Sequence, residues 1–246
     1  MTTQDRNLLV AAIPCYNEAR SIVEIIHRTR HHVDLVTVVD NASTDDTIWL
    51  AWAARAQVVQ HFINLGPGAA ARDCLQAGRN TGADVLVILD GNGQHDPDEI
   101  PGVIAPILAG EADVVIGSRF MGQSDNVTRR RFGIGVITFL YNLGASTKIT
   151  DVQSHFRAYN QRALQALHIT ESGFGFSVET LVQARSAGLR IREVSISCAH
   201  HEQSHSIDPV LHGLGVALMV IKHRLIAAFA TLTGRAAPVL NGKAAV

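Results

Sequence analysis

The segment Asp90–Gln94 carries oxygen-bearing side chains at alternate positions, separated by glycines, directly after an apolar run that is typical of a buried strand. Asp90 and Asn92 supply the hard oxygen ligands that suit Mg²⁺ or Mn²⁺, and such an ion in turn bridges phosphate oxygens. A plain glycine turn before the next helix would explain the glycines but not an acid at the strand end. We therefore predict a divalent-metal site at this segment.

Three more predicted strands end in polar side chains. These segments are Tyr16-Asn17-Glu18, Asp40-Asn41 and Ser118-Arg119. In an open α/β sheet, ligands bind outside the carboxyl ends of the strands, so a parallel sheet would gather all four polar segments at one rim. Each segment alone could be a helix cap or a turn, and for Asn17 or Ser43 both interpretations stay open.

Apolar strands alternate with helical patterns along the chain, which is typical of a parallel sheet in an α/β fold. The predicted strands are Leu8–Ile13, Leu35–Val39, Val58–Ile63, Val85–Leu89, Val114–Ile116 and Ile191–Ile196. The predicted helices are Glu18–Arg30, a helix from the capping-box pair Ser43 and Asp46 to Ala56, Ala69–Arg79, a helix capped by Asp96 with Pro97 at its first position, and Phe176–Ala187.

The charge balance and the cysteines limit the classes of partner and the compartment that we expect. The 246 residues hold 21 Lys and Arg against 22 Asp and Glu, a net charge of -1. Such a balance gives no global field for nucleic acid, so we expect no nucleic-acid partner. Cys15, Cys74 and Cys198 form no disulfide framework, and the polar N-terminus is no signal peptide. We expect a cytoplasmic protein.

Charged residues make up only 17% of the chain, so part of its surface must be apolar. The excess lies in Phe132–Thr147 and in Val210–Leu232, which polar or basic residues interrupt too often for a membrane span. We predict helices that are buried or lie in a membrane interface, next to the basic groups Arg129–Arg131 and Lys222–Arg224. A homo-oligomer interface would explain the same two stretches.

A competing pattern is Gly66–Ala71, which matches the GxGxxA form of a dinucleotide-binding fingerprint and is followed about 20 residues later by Asp90. Two strand–helix units precede it, whereas the fingerprint usually occupies the first. It would also leave Asp40 and Ser118-Arg119 without a role. A glycine-proline turn before an alanine-rich helix explains the same residues, and an NAD(P)-dependent oxidoreductase is the less favoured alternative.

The order and spacing of these motifs resemble glycosyltransferase family 2, over about residues 8 to 205. The similarity is closest to its dolichol-phosphate mannosyltransferase and polyprenyl-phosphate glycosyltransferase branch. The matching motifs are Ile13–Glu18, Val39–Asp45, Asn64–Gly66, Leu89–Pro97 and Gly117–Phe120. The resemblance implies a GT-A fold with a Rossmann-like nucleotide-binding half, a GDP- or UDP-sugar donor, a divalent metal, and transfer with inversion.

The resemblance also implies roles for individual residues. Base and ribose would be held by Pro14, Tyr16, Asn17, Glu18, Asp40 and Asn41, and the metal and diphosphate by Asp90, Gly91, Asn92 and Gln94. Asp151–Tyr159 resembles an acidic, serine and arginine-tyrosine motif. We expect Asp90, Asp151, Arg119 and Arg131 to act in catalysis, with the arginines on a lipid-phosphate acceptor. A hydroxyl acceptor would instead need a base, with Asp151 as first candidate and His155 as second.

The chain departs from the family pattern at three places. Asn92 replaces the usual second acid, His155 replaces a glycine, and histidines at 200, 201 and 205 stand where an arginine and a Ser-Lys pair are usual. A zinc site from those histidines is a further alternative. A relative that uses a hydroxyl acceptor, or binds nucleotide without turnover, also stays open. We expect a transferase domain at 1–206, with a nucleotide half 1–120 and an acceptor half 121–206, and an amphipathic tail at 207–246.

Overall fold

The computed structural model describes residues 6–121, 135, 137–139, 141–143 and 147–198. Its strands are β1 Leu9–Cys15, β2 Leu35–Asp40, β3 Gln57–Gln60, β4 Val85–Ile88, β5 Val114–Ser118, β6 Arg157–Asn160 and β7 Ile191–Ser195. Its helices are α1 Ile22–Thr29, α2 Thr47–Ala53, α3 Pro67–Thr81, α4 Ile100–Leu108, α5 Gln161–Ala166 and α6 Phe176–Ser186, with a 3-10 turn at Pro97–Glu99. The strands form one sheet in the order β3-β2-β1-β4-β6-β5-β7.

Helices cover both faces of this sheet, as an apolar pattern on both faces of the strands predicts. In β1, Ala11 and Ile13 pack against α1, α2 and α4, whereas Val10 and Ala12 pack against α3, α5 and α6. The α/β prediction is therefore confirmed, with the sheet buried between two helical layers.

The sheet is mostly parallel, as predicted, and the exception is β6, which runs antiparallel between β4 and β5. The other strands pair in parallel, as predicted. The sequence did not reveal β6 because the strand has four residues and begins with Arg157, whose side chain is 2% exposed. Three backbone carbonyls, of Val152, Ser154 and Ser177, accept hydrogen bonds from this buried guanidinium and compensate its burial.

Two predicted helix starts are wrong, whereas the predicted cap at Asp96 is confirmed. Helix α1 begins at Ile22 and not at Glu18, because the residues before it form a loop bound to the β2–α2 connection. Ser43 and Asp46 make no capping box, and Asp46 gives no side-chain cap to α2. Asp96, by contrast, accepts a hydrogen bond from the amide of Asp98 and caps the turn that precedes α4.

The glycines of the GxGxxA pattern serve a contact within the chain. A Cβ at Gly66 would lie 2.4 Å from the carbonyl oxygen of Ser172, and one at Gly68 would lie 1.9 Å from that of Glu171. The amide of Gly68 donates to the Ser172 carbonyl at 2.8 Å. The space that a pyrophosphate would take in a dinucleotide site is thus filled by the loop before α6.

Exposed apolar side chains also occur outside the two apolar stretches that the sequence indicated. At the β3 edge of the sheet, Trp49, Trp52, Phe62 and Ile63 are exposed, and Phe62 is 94% exposed. Within the part of the chain that the structure describes, no helix has the length and apolar character that a bilayer span requires. The predicted stretch 210–232 and the basic residues 129–131 lie outside the described residues, as does most of 122–146.

Substituting Gly68 tests the contact between α3 and the loop at Glu171-Ser172. Gly68→Ala places a methyl group against backbone and should lower the free energy of unfolding by about 1–3 kcal/mol, as overpacking does. Gly102→Ala is the matched control, because no atom lies within 4 Å of its Cβ position in helix α4. This control should stabilise by about 0.5–1 kcal/mol. Equal stability of the two variants in urea denaturation would contradict the contact.

Candidate functional site

The carboxyl ends of β1, β2, β4 and β5 meet at one rim of the sheet, and the antiparallel strand β6 begins there. This topology gathers Glu18, Asp40, Asp90 and Arg119, and adds His155 from the residues just before β6. Asp90 contacts His155 at 3.4 Å and lies near enough to Glu18 and Arg119 for their charges to affect one another.

The loop after β1 is braced against the loop after β2. Asn17, in a left-handed conformation with φ 58, donates from its amide to the Ser43 hydroxyl at 2.9 Å. Its side-chain oxygen accepts from the amide of Thr44 at 2.8 Å, and the amide of Glu18 donates to the Thr47 hydroxyl at 2.8 Å. Asn17 and Ser43 therefore hold the turn that presents Glu18.

Asp40 has one carboxylate oxygen available for a ligand. Its Oδ2 accepts from the amide of Ser43 at 3.0 Å, whereas the buried Oδ1 has no hydrogen-bond partner among the described residues. Buried polar atoms are nearly always paired, so an orphaned acceptor at a strand end suits a ligand N–H or O–H.

Asn41 instead supports the neighbouring loop. Its Oδ1 accepts from the amide of Leu65 at 2.9 Å, and its Nδ2 donates to Asn64 at 3.0 Å. His61, which the sequence analysis did not select, contacts this oxygen through Nδ1 at 2.9 Å and Asp73 through Nε2 at 2.7 Å. The histidine that interrupts the apolar β3 pattern is the signal that could have revealed this buried network.

Asp90 is the charged centre of the rim. Burial alone would raise its pKa, but the interactions with His155 and Arg119 outweigh burial and hold the pKa well below its usual range. The nearest of these contacts joins His155 Nδ1 to Asp90 Oδ1 at 3.4 Å. The carboxylate stays ionised and is 21% exposed, so it can bind a cation in the cleft.

His95 supports Asp90 as a neutral ring. Its Nδ1 accepts a hydrogen bond from the Asp90 amide at 3.2 Å, which requires that this nitrogen carry no proton. Burial lowers the pKa of His95 to about 4, which agrees with the neutral form. The 3.8 Å approach of the same nitrogen to the Asp90 carboxylate is therefore not an ion pair.

The pKa of Glu18 is raised by this arrangement. Burial, followed by the nearby charges of Asp90 and Asp45, raises its pKa to about 7. Carboxylates that are brought together without a cation shift their pKa values upward in this way. Glu18 is thus partly protonated at neutral pH, and a cation bound nearby would favour loss of that proton to solvent.

The side chains around Asp90 can hold a divalent ion only if a bound ligand supplies further oxygen atoms. No group of three or more His, Cys, Asp or Glu side chains within the described ranges is arranged to hold a metal. Asn92 Oδ1 accepts from the amide of Gln94 at 3.0 Å, which leaves its second lone pair. Gly91 brings the loop against β1, because a Cβ there would lie 2.5 Å from the Cys15 sulfur. An ionised Asp90 beside amide oxygens suits an ion that also takes phosphate oxygens.

Arg119 and Asp151 form a bidentate pair beside Asp90. Arg119 Nε donates to Oδ2 at 2.7 Å and Nη2 to Oδ1 at 2.9 Å, and the Asp151 side chain is fully buried. Burial alone would raise the pKa of Asp151, but the bonds from Arg119 lower it. Glu193, which the sequence analysis did not select, accepts from the amides of Thr150 and Asp151 and fixes the pair.

Of the remaining predicted site residues, some lie within the described part of the chain and others lie outside it. Pro14 pairs with Val39 of β2, two residues beyond the last partner of β1 in β4, so its missing N–H costs no bond to β4. Tyr16 follows β1 at the rim and is 42% exposed. Arg131 and the histidines at 200, 201 and 205 lie outside the described residues.

Comparison with known proteins identifies the family. The model of glycosyl transferase family 2 matches residues 11–167. The UDP-N-acetylglucosamine–dolichyl-phosphate N-acetylglucosaminyltransferase of Methanococcus voltae is 30% identical over 223 residues, 80% of this chain and 88% of that protein. The undecaprenyl-phosphate mannosyltransferase of Micrococcus luteus is 32% identical over 211 residues, 80% of this chain and 86% of that protein.

Solved structures agree on the fold. Glucosyl-3-phosphoglycerate synthase of Mycobacterium tuberculosis in complex with phosphoglyceric acid superposes with a TM-score of 0.70 at 23% identity, covering 88% of this chain and 80% of that chain. Its complex with Mn²⁺, UDP and glucosyl-3-phosphoglycerate gives a TM-score of 0.65 at 24% identity, covering 89% and 79%. The sheet and its flanking helices are those of the GT-A fold, and the chain belongs to glycosyl transferase family 2.

Proposed function

We propose that this glycosyltransferase moves a sugar from a nucleotide-diphospho-sugar to the phosphate of a polyprenyl phosphate. The activities of the two relatives support a polyprenyl-phosphate acceptor. The observation that carries the proposal is the pairing of Arg119 with Asp151 beside Asp90, because it supplies a fixed cation next to the donor site and removes the first candidate base.

The acceptor class follows from the state of the two candidate bases. A hydroxyl acceptor needs a base to take its proton, whereas a phosphate is already an anion at neutral pH. Both oxygens of Asp151 accept bonds from Arg119, and its pKa is lowered, so it is a poor base. His155 directs Nδ1 at the Asp90 carboxylate, 3.4 Å away, so this nitrogen is turned toward the proposed metal site and not toward Arg119. This arrangement favours the phosphate over a hydroxyl.

Arg119 would hold the acceptor in line with the donor. Its bonds to Asp151 use Nε and Nη2, and not Nη1. Burial alone would lower the pKa of Arg119, but the bonds to Asp151 raise it, so the group stays charged. A planar guanidinium with a fixed orientation suits a phosphate oxygen. Arg131 is proposed to assist from outside the described residues.

Donor binding is proposed for the other half of the rim. Glu18, the orphaned oxygen of Asp40 and the exposed ring of Tyr16 are placed to contact base and ribose, with Pro14 beneath them. Asp90, with oxygens of Asn92 and Gln94, would hold Mg²⁺ or Mn²⁺. Such an ion, when bound, stabilises negative charge on the departing diphosphate. Direct displacement by the acceptor inverts the anomeric configuration.

A membrane contact is proposed for the helical residues around 137–143. Ile137 and Tyr141 are buried on one side of this helical segment, whereas Phe139 and Leu143 are 65% and 53% exposed on the other. Exposed apolar side chains four residues apart suit a helix that lies in the lipid interface, where the acceptor resides. We place this contact on the cytoplasmic face.

A homo-oligomer and the two-part domain division also stay proposals. The exposed group of Trp49, Trp52, Phe62 and Ile63 at the β3 edge is the surface we propose for self-association. Light scattering that reports a monomer at high concentration would exclude it.

One sheet runs through both proposed halves, since β6 inserts between β4 and β5.

The function is tested by transfer from radiolabelled GDP- and UDP-sugars to a short-chain polyprenyl phosphate with Mn²⁺ or Mg²⁺. We expect label in the lipid extract for one donor, and none when the matching polyprenol replaces the phosphate. Transfer to the polyprenol, or thermal stabilisation by NAD and by no sugar nucleotide, would overturn the proposal.

Replacing Asp90 tests the metal assignment. Loss of an outer-shell partner already weakens metal binding about 10- to 100-fold, so Asp90→Asn should weaken Mn²⁺-dependent binding of UDP or GDP at least that much. Asp98→Asn is the control, since that exposed carboxylate pairs with Arg28 and His32 on the surface. Equal affinities of the two variants in calorimetry would remove Asp90 from the metal site.

The raised pKa of Glu18 predicts a pH-dependent stability in the metal-free protein. A carboxyl whose folded pKa of about 7 exceeds its unfolded value of 4.5 opposes folding as it ionises. Wild-type protein should therefore lose stability relative to Glu18→Gln as pH rises from about 4.5 to about 7. Urea denaturation at about pH 5 and about pH 8 measures the difference. A difference that does not change with pH would contradict the burial of Glu18.

The membrane contact is tested by flotation with vesicles of phosphatidylcholine and phosphatidylglycerol. Phe139→Ser combined with Leu143→Ser should reduce vesicle binding about tenfold or more, because each side chain contributes about 1.5–3 kcal/mol when buried. Leu108→Ser is the matched control, since this exposed leucine ends α4 at the opposite end of the sheet. Equal flotation of all three proteins would refute the assigned surface.

A further inference from the structure

His155 is brought to the rim by the strand that the sequence pattern did not show. It lies two residues before Arg157, the first residue of β6. Because β6 is antiparallel to β4, its amino end meets the carboxyl end of β4, where Asp90 lies. The Nδ1 atom of His155 is 3.4 Å from Asp90 Oδ1, and both side chains are partly exposed.

The imidazole ring is held in this orientation by two aromatic rings. Phe174 is stacked on it with an interplanar angle of 11° and a centroid distance of 6.2 Å. Phe176, at the start of α6, contacts it at a centroid distance of 4.9 Å. Both contacts are between rings, and Nδ1 is directed at Asp90.

The other side chains near Asp90 are poorer donors to a cation. Asn92 is neutral, and its oxygen already accepts from the amide of Gln94. The Nδ1 of His95 is taken by the amide of Asp90. Among the described residues, His155 thus presents the nitrogen best placed to join Asp90 in binding an ion from the cleft.

The spacing of the two atoms suits a shared ion. Two ligands bound at about 2.1 Å on adjacent positions of one ion lie about 3.0–3.5 Å apart, for octahedral or tetrahedral geometry. The observed 3.4 Å lies within that range. An ion could therefore enter between the two side chains with little movement of either.

We propose that His155 Nδ1 is a direct ligand of the divalent cation together with Asp90, and that it compensates for the amide at Asn92. The inference rests on the proposed function. An imidazole ligand favours transition metals over Mg²⁺, whose preferred ligands are oxygens. His155 should thus shift the metal preference of the enzyme toward Mn²⁺.

The test is a spectroscopic one and does not depend on turnover. Electron spin echo measurements on Mn²⁺ bound with UDP or GDP should show modulation by an imidazole nitrogen in the wild-type protein. The signal should vanish in His155→Ala and persist in His32→Ala, a control histidine that pairs with Asp98 on the surface. Titration should show about tenfold weaker Mn²⁺ binding in His155→Ala, with Mg²⁺ binding changed by less than about twofold.

The outcomes separate this inference from the proposed function. A wild-type complex that binds Mn²⁺ and nucleotide without any nitrogen modulation overturns the role of His155 and leaves the transferase proposal intact, whether or not the variant folds. A nitrogen signal retained in His155→Ala overturns it as well, because another histidine would be the source. Failure of wild-type protein to bind Mn²⁺ with either nucleotide would overturn both.

Discussion

The antiparallel insertion of β6 between β4 and β5 is the constraint on which the site depends. It separates the ends of β4 and β5 by one strand and fills the gap with residues that precede β6. Residues from this segment then contact both sides of the gap, His155 at Asp90 and Asp151 at Arg119. The buried guanidinium of Arg157 stabilises this arrangement, since it binds two carbonyls of the loop before β6 and one of helix α6.

The rim has more negative charge than its own cations neutralise. Arg119 is committed to Asp151, and His95 is neutral. Asp90 nevertheless stays ionised, and its charge, together with burial, raises the pKa of the nearby Glu18. Two acids in one cleft with an orphaned oxygen on Asp40 form a site that a divalent cation and a sugar nucleotide would complete. The braced loops around Asn17 and Ser43 hold the acids at this spacing in the absence of ligand.

The sequence predicted the features that depend on local pattern. Apolar strands, their polar ends and the cap at Asp96 follow from residue type and spacing, and each is present. What it missed depends on contacts between distant segments. Nothing local marks Arg157 as the start of a strand, or shows that Gly66 and Gly68 face the carbonyls of Ser172 and Glu171. Glu193 and His61 also become positioning residues only once the strands have paired.

The central claim is that this rim binds a sugar nucleotide through a cation at Asp90. Diffraction from crystals grown with Mn²⁺ and UDP or GDP, measured at an energy where manganese scatters anomalously, tests it directly. We expect an anomalous peak at about 2.1–2.3 Å from an Asp90 oxygen, in contact with the diphosphate, with the nucleoside toward Glu18 and Asp40. A nucleotide bound elsewhere, or a diphosphate at the rim with no ion on Asp90, would contradict it.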